Sequence, residues 1–393
     1  MRVVRTQVGI VGAGPAGLLL GHLLARAGVE SLIVEDRTRD YIEARQRAGV
    51  IEHPTAQLLR DIGAGERLDR EGIVHGGIYL QYAGERHHLD FRDLCGATVT
   101  VYAQTEIVKD LVAARLKAGL PLEFGISGTA VEELTSDRPV LRYTAEDGTP
   151  TQVVCDVIAG CDGFHGVSRP SIPGPLRTVQ ERGYPYSWLG ILADVAPSTD
   201  ELIYAHSERG FALHSLRTPE ISRLYLQVPA DEPIEAWPDD RIWAELSRRL
   251  GVGGWTLHEG PVREKSITPM RSFVSSPMRY GRLFLAGDAA HIVPPTGAKG
   301  LNLAMTDVTV LAEALTRWLR DGDASLADGY EQRCLRRIWR ATHFSWWMTS
   351  MLHRPLDGDP FDIQLQLSQL RHVTSSRAAA TALAENYTGV VTA

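Results

Sequence analysis

The stretch Gln7-Val-Gly-Ile-Val-Gly12-Ala-Gly14-Pro-Ala-Gly17-Leu-Leu-Leu-Gly-His-Leu-Leu-Ala-Arg26, followed by Ser31-Leu-Ile-Val-Glu35, decides the fold. Its short apolar run reads as a buried strand, its glycines as a tight turn and its leucines as a helix. Ser31–Glu35 is the next strand of a βαβ unit. In the G-x-G-x-x-G pattern, Gly12 permits the turn, Gly14 lets a pyrophosphate approach the backbone, and Gly17 allows helix–strand packing. The helix N-terminus then favours phosphate, and Glu35 can accept ribose hydroxyls. A purely structural glycine turn would give the bare pattern. Strand, helix, second strand and terminal acid in one unit point to dinucleotide binding.

The rest of the composition is that of an ordinary globular chain of 393 residues, 44% hydrophobic and 23% charged. With Lys+Arg 41 against Asp+Glu 48 and a net charge of −7, no basic surplus points to nucleic acid or an anionic membrane. The cysteines Cys95, Cys155, Cys161 and Cys334 form no C-x-x-C pair and read as free thiols of a reducing compartment. Met1-Arg-Val-Val-Arg5 leaves no room for a secretory h-region, and no apolar run reaches the ~18–20 residues of a membrane span. A soluble cytoplasmic protein is expected, without a metal-ligand cluster.

Residues 70–105 and 140–230 carry short runs rich in Val, Ile, Tyr and Thr. Helical periodicity returns near Asp110–Lys117 and Asp240–Leu250 and dominates from Leu301 onward. The expected architecture is α/β: a Rossmann-like nucleotide-binding domain with an interleaved, mostly β second domain and a helical C-terminal part. The expected limits are 1–72, 98–180 and 270–345 for the first, 73–97 and 181–269 for the second, and 346–393 for the last. No linker separates them, so the chain is expected to cross between domains more than once.

Two further strand exits carry acids: Asp156-Val-Ile-Ala-Gly-Cys161-Asp-Gly163 and Arg282-Leu-Phe-Leu-Ala-Gly287-Asp288-Ala-Ala-His291. Either alone is an ordinary turn. Beside the N-terminal fingerprint, Asp288 suits a carboxylate reaching the sugar-like chain of FAD. With these motifs, the chain resembles the class A flavoprotein aromatic hydroxylases from about Gln7 to about Gly389. Arg47-Ala-Gly-Val50, Val99-Thr-Val-Tyr-Ala-Gln-Thr-Glu106, Glu201-Leu-Ile-Tyr204, Arg209-Gly-Phe-Ala-Leu213 and Ala384-Glu-Asn-Tyr387 resemble the members that act on 4-hydroxybenzoate. So do Phe344-Ser-Trp-Trp-Met-Thr-Ser350 and the run from Gly287 to Asn302.

The resemblance implies FAD as cofactor, NAD(P)H and O2 as co-substrates, and hydroxylation of 4-hydroxybenzoate at C3 to protocatechuate through a flavin C4a-hydroperoxide. It also implies a homodimer. By position in the family's motifs, Arg217 pairs with the substrate carboxylate, with Ser215 and Tyr225 as hydroxyl donors. Tyr204 takes the phenolic hydrogen bond and relays the proton to Tyr387, with His75 as the far exit near neutral pH. The Pro295 carbonyl contacts the substrate hydroxyl, and Trp188, Leu202 and Leu213 wall the ring. Amides after Gly297, ahead of the helix from Leu301, cover the flavin pyrimidine edge, and Asn302 contacts the flavin from that helix start. Arg45, Arg47 and Gln104 match pyrophosphate and adenosine contacts, and Arg223 an arginine that lies against a flavin able to swing. His165, Arg169 and Arg271 match the coenzyme phosphates. Taken singly, most of these would read as core packing, caps or loop charges.

Two positions depart from the family members. His214 stands where they carry cysteine, and strand alternation turns it away from Leu213 and Ser215. Asp36, followed by Arg37, replaces a basic residue that serves the coenzyme 2′-phosphate, which predicts that NADH is accepted. The alternatives are a hydroxylase of a substituted 4-hydroxybenzoate and a flavin-binding protein without catalysis.

Overall fold

A computed structural model describes residues 1–45, 49–356 and 358–390 of the chain. Strand β1 (Arg2–Val11) leads into α1 (Pro15–Arg26) and returns as β2 (Ser31–Val34). The chain then leaves this unit for a hairpin, β3 (Gly77–Tyr82) and β4 (Glu85–Asp90), and comes back with α2 (Gln104–Lys117) and β5 (Pro150–Gly160). It crosses again for β6 (Thr178–Ala193), β7 (Ile203–Ala205), β8 (Ala212–Thr218), β9 (Ile221–Pro229), α3 (Asp239–Leu250) and β10 (Val262–Ser276). After β11 (Leu283–Leu285) it ends in α4 (Gly300–Asp321), α5 (Tyr330–Leu352), α6 (Pro360–Ser375) and α7 (Arg377–Thr388).

The first sheet runs β11–β5–β1–β2 in parallel, with Leu122–Glu123 beyond β2. The C-terminal half of β1 is buried and reads as an apolar run, as strands of a parallel sheet covered on both faces do. The C-terminal ends of β1, β2, β5 and β11 lie side by side: Gly12 N bonds Val34 O, Cys161 N bonds Val11 O, and Ala286 N bonds Gly160 O. That edge is where open α/β sheets bind ligands. Helix α4 buries Leu303, Val308, Leu311 and Leu315 and stops at Gly322, whose φ is 76°.

The second sheet runs β10–β6–β9–β8–β7–β3–β4, antiparallel except where β7 meets β3. Alternation along its strands separates two cores. Ala212, Leu224 and Leu226 pack with Ile242, Trp243 and Leu246 of α3. On the opposite face, Trp188, Tyr204 and Leu213 pack with Met348 and Met351 of α5 and Leu383 and Tyr387 of α7.

The glycine turn after β1 has little tolerance. Gly12 adopts a φ of +103°, and a Cβ on Gly17 would stand 1.9 Å from the Gly12 carbonyl oxygen. A Cβ on Gly14 would meet nothing within 4 Å. Gly17→Ala is therefore expected to cost about 1–3 kcal/mol through overpacking. Gly14→Ala should cost about 1 kcal/mol or less. Denaturant unfolding of the two variants checks the contrast.

Candidate active site

At the parallel-sheet edge, Glu35 accepts the amides of Ala13 at 2.7 Å and Arg37 at 3.0 Å. Its carboxyl is pushed up to about 7 by burial and by the neighbouring Asp36. Across the edge, Gly287 N donates to Asp307 Oδ2 at 3.0 Å, and the same oxygen meets His291 Nε2 at 2.6 Å in a buried pair. Burial opposes the imidazolium, but Asp307 prevails and raises His291. This pair fixes the turn on which Asp288 stands exposed. Asp307 lies about two helix turns inside α4, so no local motif marks it.

The face of the second sheet that meets α5 and α7 carries a row of facing residues. Tyr204 pairs with Leu213, Leu213 with Tyr225, and Tyr225 with Gly190. A Cβ on Gly190 would lie 3.3 Å from the Tyr225 ring, so the glycine leaves that ring its place. One step along, Ser215 pairs with Arg223, whose Nε donates to the Tyr225 hydroxyl at 2.5 Å. The β8–β9 register shifts between Leu216 and Thr218, which puts Arg217 in a bulge. Bulges re-aim side chains. Arg217 reaches Thr105 Oγ1 at 3.2 Å, and Thr105 donates to the Arg45 carbonyl at 3.0 Å. Burial, then Arg223, pulls the Arg217 guanidinium down to about 10, which still leaves it cationic.

Tyr204 and Tyr387 meet hydroxyl to hydroxyl at 2.6 Å, both buried. Burial raises both phenols, so each keeps its proton at neutral pH. His75 is fully buried, and neither ring nitrogen has a partner among the described residues. Burial pulls His75 down to about 4 and keeps it a neutral ring. Pro295 is exposed, and its carbonyl accepts the Ala298 amide at 2.9 Å with a second lone pair to spare. His214 faces Trp255 and accepts the Ser198 amide, away from the tyrosine row.

Lys299, Glu52, Arg337 and His353 escaped sequence reading. Lys299 is buried and donates to Glu52 at 2.6 Å and to the Tyr387 carbonyl at 3.0 Å, while Arg337 reaches the other Glu52 oxygen at 3.2 Å. Asn302 is also buried. It accepts the Glu52 amide and donates to the Val50 and Ala298 carbonyls, which anchors residues 50–52 to α4. Trp188 donates to His353 Nε2 at 2.6 Å, so the His353 proton sits on Nδ1, facing the Thr349 carbonyl. Lys299 stands inside a stretch read for its glycines and prolines. Nothing local pairs it with Glu52, 247 residues away.

Of the coenzyme candidates, His165, Arg169 and Arg271 gather around Phe164. The His165 ring meets it edge-on at 5.0 Å, and the guanidinium carbons lie 4.6 and 4.8 Å from its centroid. Arg169 also donates to the Ala289 and Phe164 carbonyls, and Arg271 faces Glu181 at 3.6 Å. Gln104 opens α2 half-buried, and Arg45 lies exposed with its guanidinium 5.9 Å from the Tyr41 ring. Arg47 falls outside the described residues.

Residues 5–345 match a family model described as "FAD binding domain". The chain belongs to this FAD-binding family. It is 47% identical to p-hydroxybenzoate hydroxylase of Acinetobacter baylyi, over 99% of this chain and 96% of that one. A 3-(3-hydroxy-phenyl)propionate/3-hydroxycinnamic acid hydroxylase of a Mycobacterium is 29% identical over 83% of this chain and 56% of its own length. The crystal structure of p-nitrophenol 4-monooxygenase from Pseudomonas putida shares the fold, with a TM-score of 0.85 at 19% identity and full coverage of both chains. The family's cofactor is FAD, and the residues present fit it. The open approach at Gly14, the Glu35 carboxylate and the exposed Asp288 form one rim along the strand ends. No helix among the described residues is long and apolar enough to cross a membrane.

The buried histidines make acid the weak side of this fold. His75 and His214 are pulled down to about 4 and His353 to about 3, each by burial, from an ordinary value of 6.5. Between these limits the unfolded chain binds more protons than the folded one. Stability therefore rises with pH across that window and is lost as pH falls through it, by up to about 1.4 kcal/mol per pH unit for each ring. His353→Gln should flatten the acid limb by one such increment. Denaturant unfolding at a series of pH values measures it, and parallel curves for variant and wild type would refute it.

Proposed function

We propose that the protein is an FAD-dependent hydroxylase that adds OH to C3 of 4-hydroxybenzoate, giving protocatechuate, with NAD(P)H and O2 as co-substrates. The observation that carries this reading is the buried Tyr204–Tyr387 hydroxyl pair at 2.6 Å, one strand step from Ser215 and Arg223. A step of two residues spans about 6.6 Å, comparable to the long axis of a para-substituted ring. Arg217 binds the carboxylate as a charge-assisted pair, with Ser215 and Tyr225 adding donors. The phenol then lies at Tyr204, and Trp188, Leu202 and Leu213 exclude water from the ring. Tyr204 takes the phenolic proton as its own passes to Tyr387, so the ring gains phenolate character and its ortho carbon becomes nucleophilic. His75, a neutral acceptor, receives the proton next. The Pro295 carbonyl orients the hydroxyl. Bound FAD supplies the reduction by coenzyme and the activation of O2. Glu35, Asp288, Gln104 and the amides around Gly14 and Gly297 would hold it.

We also infer a homodimer. Trp339, Trp346, Phe361 and Leu365, on the helices α5 and α6, stay 36–70% exposed and offer large apolar side chains to a second copy.

Two variants separate binding from chemistry. Arg217→Ala should weaken 4-hydroxybenzoate binding by about 2–5 kcal/mol, read by flavin absorbance titration. Tyr204→Phe should bind nearly as wild type but oxidise NAD(P)H without matching product, releasing peroxide. Fully coupled turnover in Tyr204→Phe would sink the relay.

The coenzyme reading rests on the loop after β2. Asp36 is exposed and lies 3.6 Å from Arg37, and Arg39 pairs with Glu43 at 2.7 Å. The loop's cations are thus matched by carboxylates of its own, and Asp36 repels a 2′-phosphate. NADH should be used at least as well as NADPH, and Asp36→Arg should move the ratio toward NADPH. Steady-state kcat/KM for both coenzymes decides it. A wild-type preference for NADPH of about tenfold, or roughly 1.4 kcal/mol, would count against it.

A further inference from the structure

An acid–base pair lies just outside the pocket and has no part in the roles above. Glu201, ahead of β7, accepts the Gly77 amide at 2.8 Å through one oxygen and meets His88 Nε2 at 2.7 Å through the other. Gly77 is two residues beyond His75. A Cβ on it would stand 2.6 Å from His88 Nε2 and 2.3 Å from the Leu89 carbonyl oxygen, so the glycine keeps the pair in place. The three side chains rise in exposure from the interior outward: His75 is at 0%, Glu201 at 17% and His88 at 40%.

Asp200 adds its field to that of Glu201, and His214 is close enough on β8 to feel the His75 charge. The Arg92 guanidinium lies against Gly76, and the Tyr79 ring sits 4.8 Å from the His88 ring. Glu201 bonds the exposed imidazole of His88 directly, and its charge acts on the buried one of His75.

We propose that Glu201 and His88 form the outer end of a proton route that begins at the Tyr204–Tyr387 pair and leaves the interior through His75. The proposal rests on the hydroxylase reading, because the proton is that of the bound phenol. It passes to the Tyr204 oxygen as the Tyr204 proton moves to Tyr387. The proton released by Tyr387 reaches His75 over water. The imidazolium gives up its other proton toward Glu201, and His88 hands a proton to solvent. One phenolic O–H bond breaks, one proton enters solvent, and no electrons move. The Glu201 carboxylate favours the transient imidazolium, which burial alone disfavours. Neither Glu201 nor His88 touches the substrate, so both are positioning residues that act through His75.

The test uses the oxidised holoenzyme with bound 4-hydroxybenzoate, where phenolate absorbance is followed after a rapid upward pH jump, without coenzyme or turnover. Glu201→Gln keeps an acceptor for the Gly77 amide and the shape of the side chain. It should slow phenolate formation about tenfold or more, with the end-point retained and Kd within about twofold of wild type. His88→Gln should slow it less and be rescued by imidazole buffer. An unchanged rate in Glu201→Gln, with Tyr387→Phe slow, overturns the exit route and leaves the hydroxylase reading intact. A Kd that rises in step with the lost rate makes Glu201 structural and also overturns the proposal. No phenolate in the bound wild-type complex at any pH would overturn the hydroxylase reading itself.

Discussion

A buried ammonium must be matched where it lies, and Lys299 imposes that constraint on the whole site. Its partners come from distant parts of the chain: Glu52 at the start of the helix His53–Asp61, and the carbonyl of Tyr387 in α7. Arg337 of α5 shares the Glu52 carboxylate, and Asn302 of α4 holds the Glu52 amide. Removing one member of such a buried pair typically costs about 3–5 kcal/mol, because the other charge is left unmatched. The pair thereby fixes where α7 sits, and α7 delivers the Tyr387 hydroxyl to Tyr204.

The tyrosine pair in turn depends on the pleat of the second sheet. Successive side chains of β8 point to opposite faces, so Leu213 and Ser215 join the pocket while Ala212 and His214 join the core beneath α3. The bulge at Arg217 breaks this alternation at the one position where a cation is needed inside. Burial then sets protonation states. It holds Tyr204 and Tyr387 protonated and His75, His214 and His353 neutral while leaving Arg217 charged.

The nucleotide end and the aromatic end are joined through short polar links. Thr105 connects Arg217 to the backbone of Arg45, and Arg169 connects the turn after β5 to the turn after β11. Asp307 of α4, paired with His291, holds that second turn.

The sequence by itself determined the βαβ unit, its glycine turn, the acid at the end of β2, and the interleaving of an α/β domain with a mostly β one. These depend on local periodicity and on steric rules that hold within a few residues. Alternation likewise sufficed to turn His214 out of the pocket. Only the tertiary structure decided that Glu52 neutralises Lys299, that Asp307 fixes the Gly287 turn, that Trp188 sets the His353 tautomer, and that His75 is buried and neutral. Each of these depends on which groups meet after packing and on how much water packing removes. Neither quantity is written in the spacing of residues along the chain.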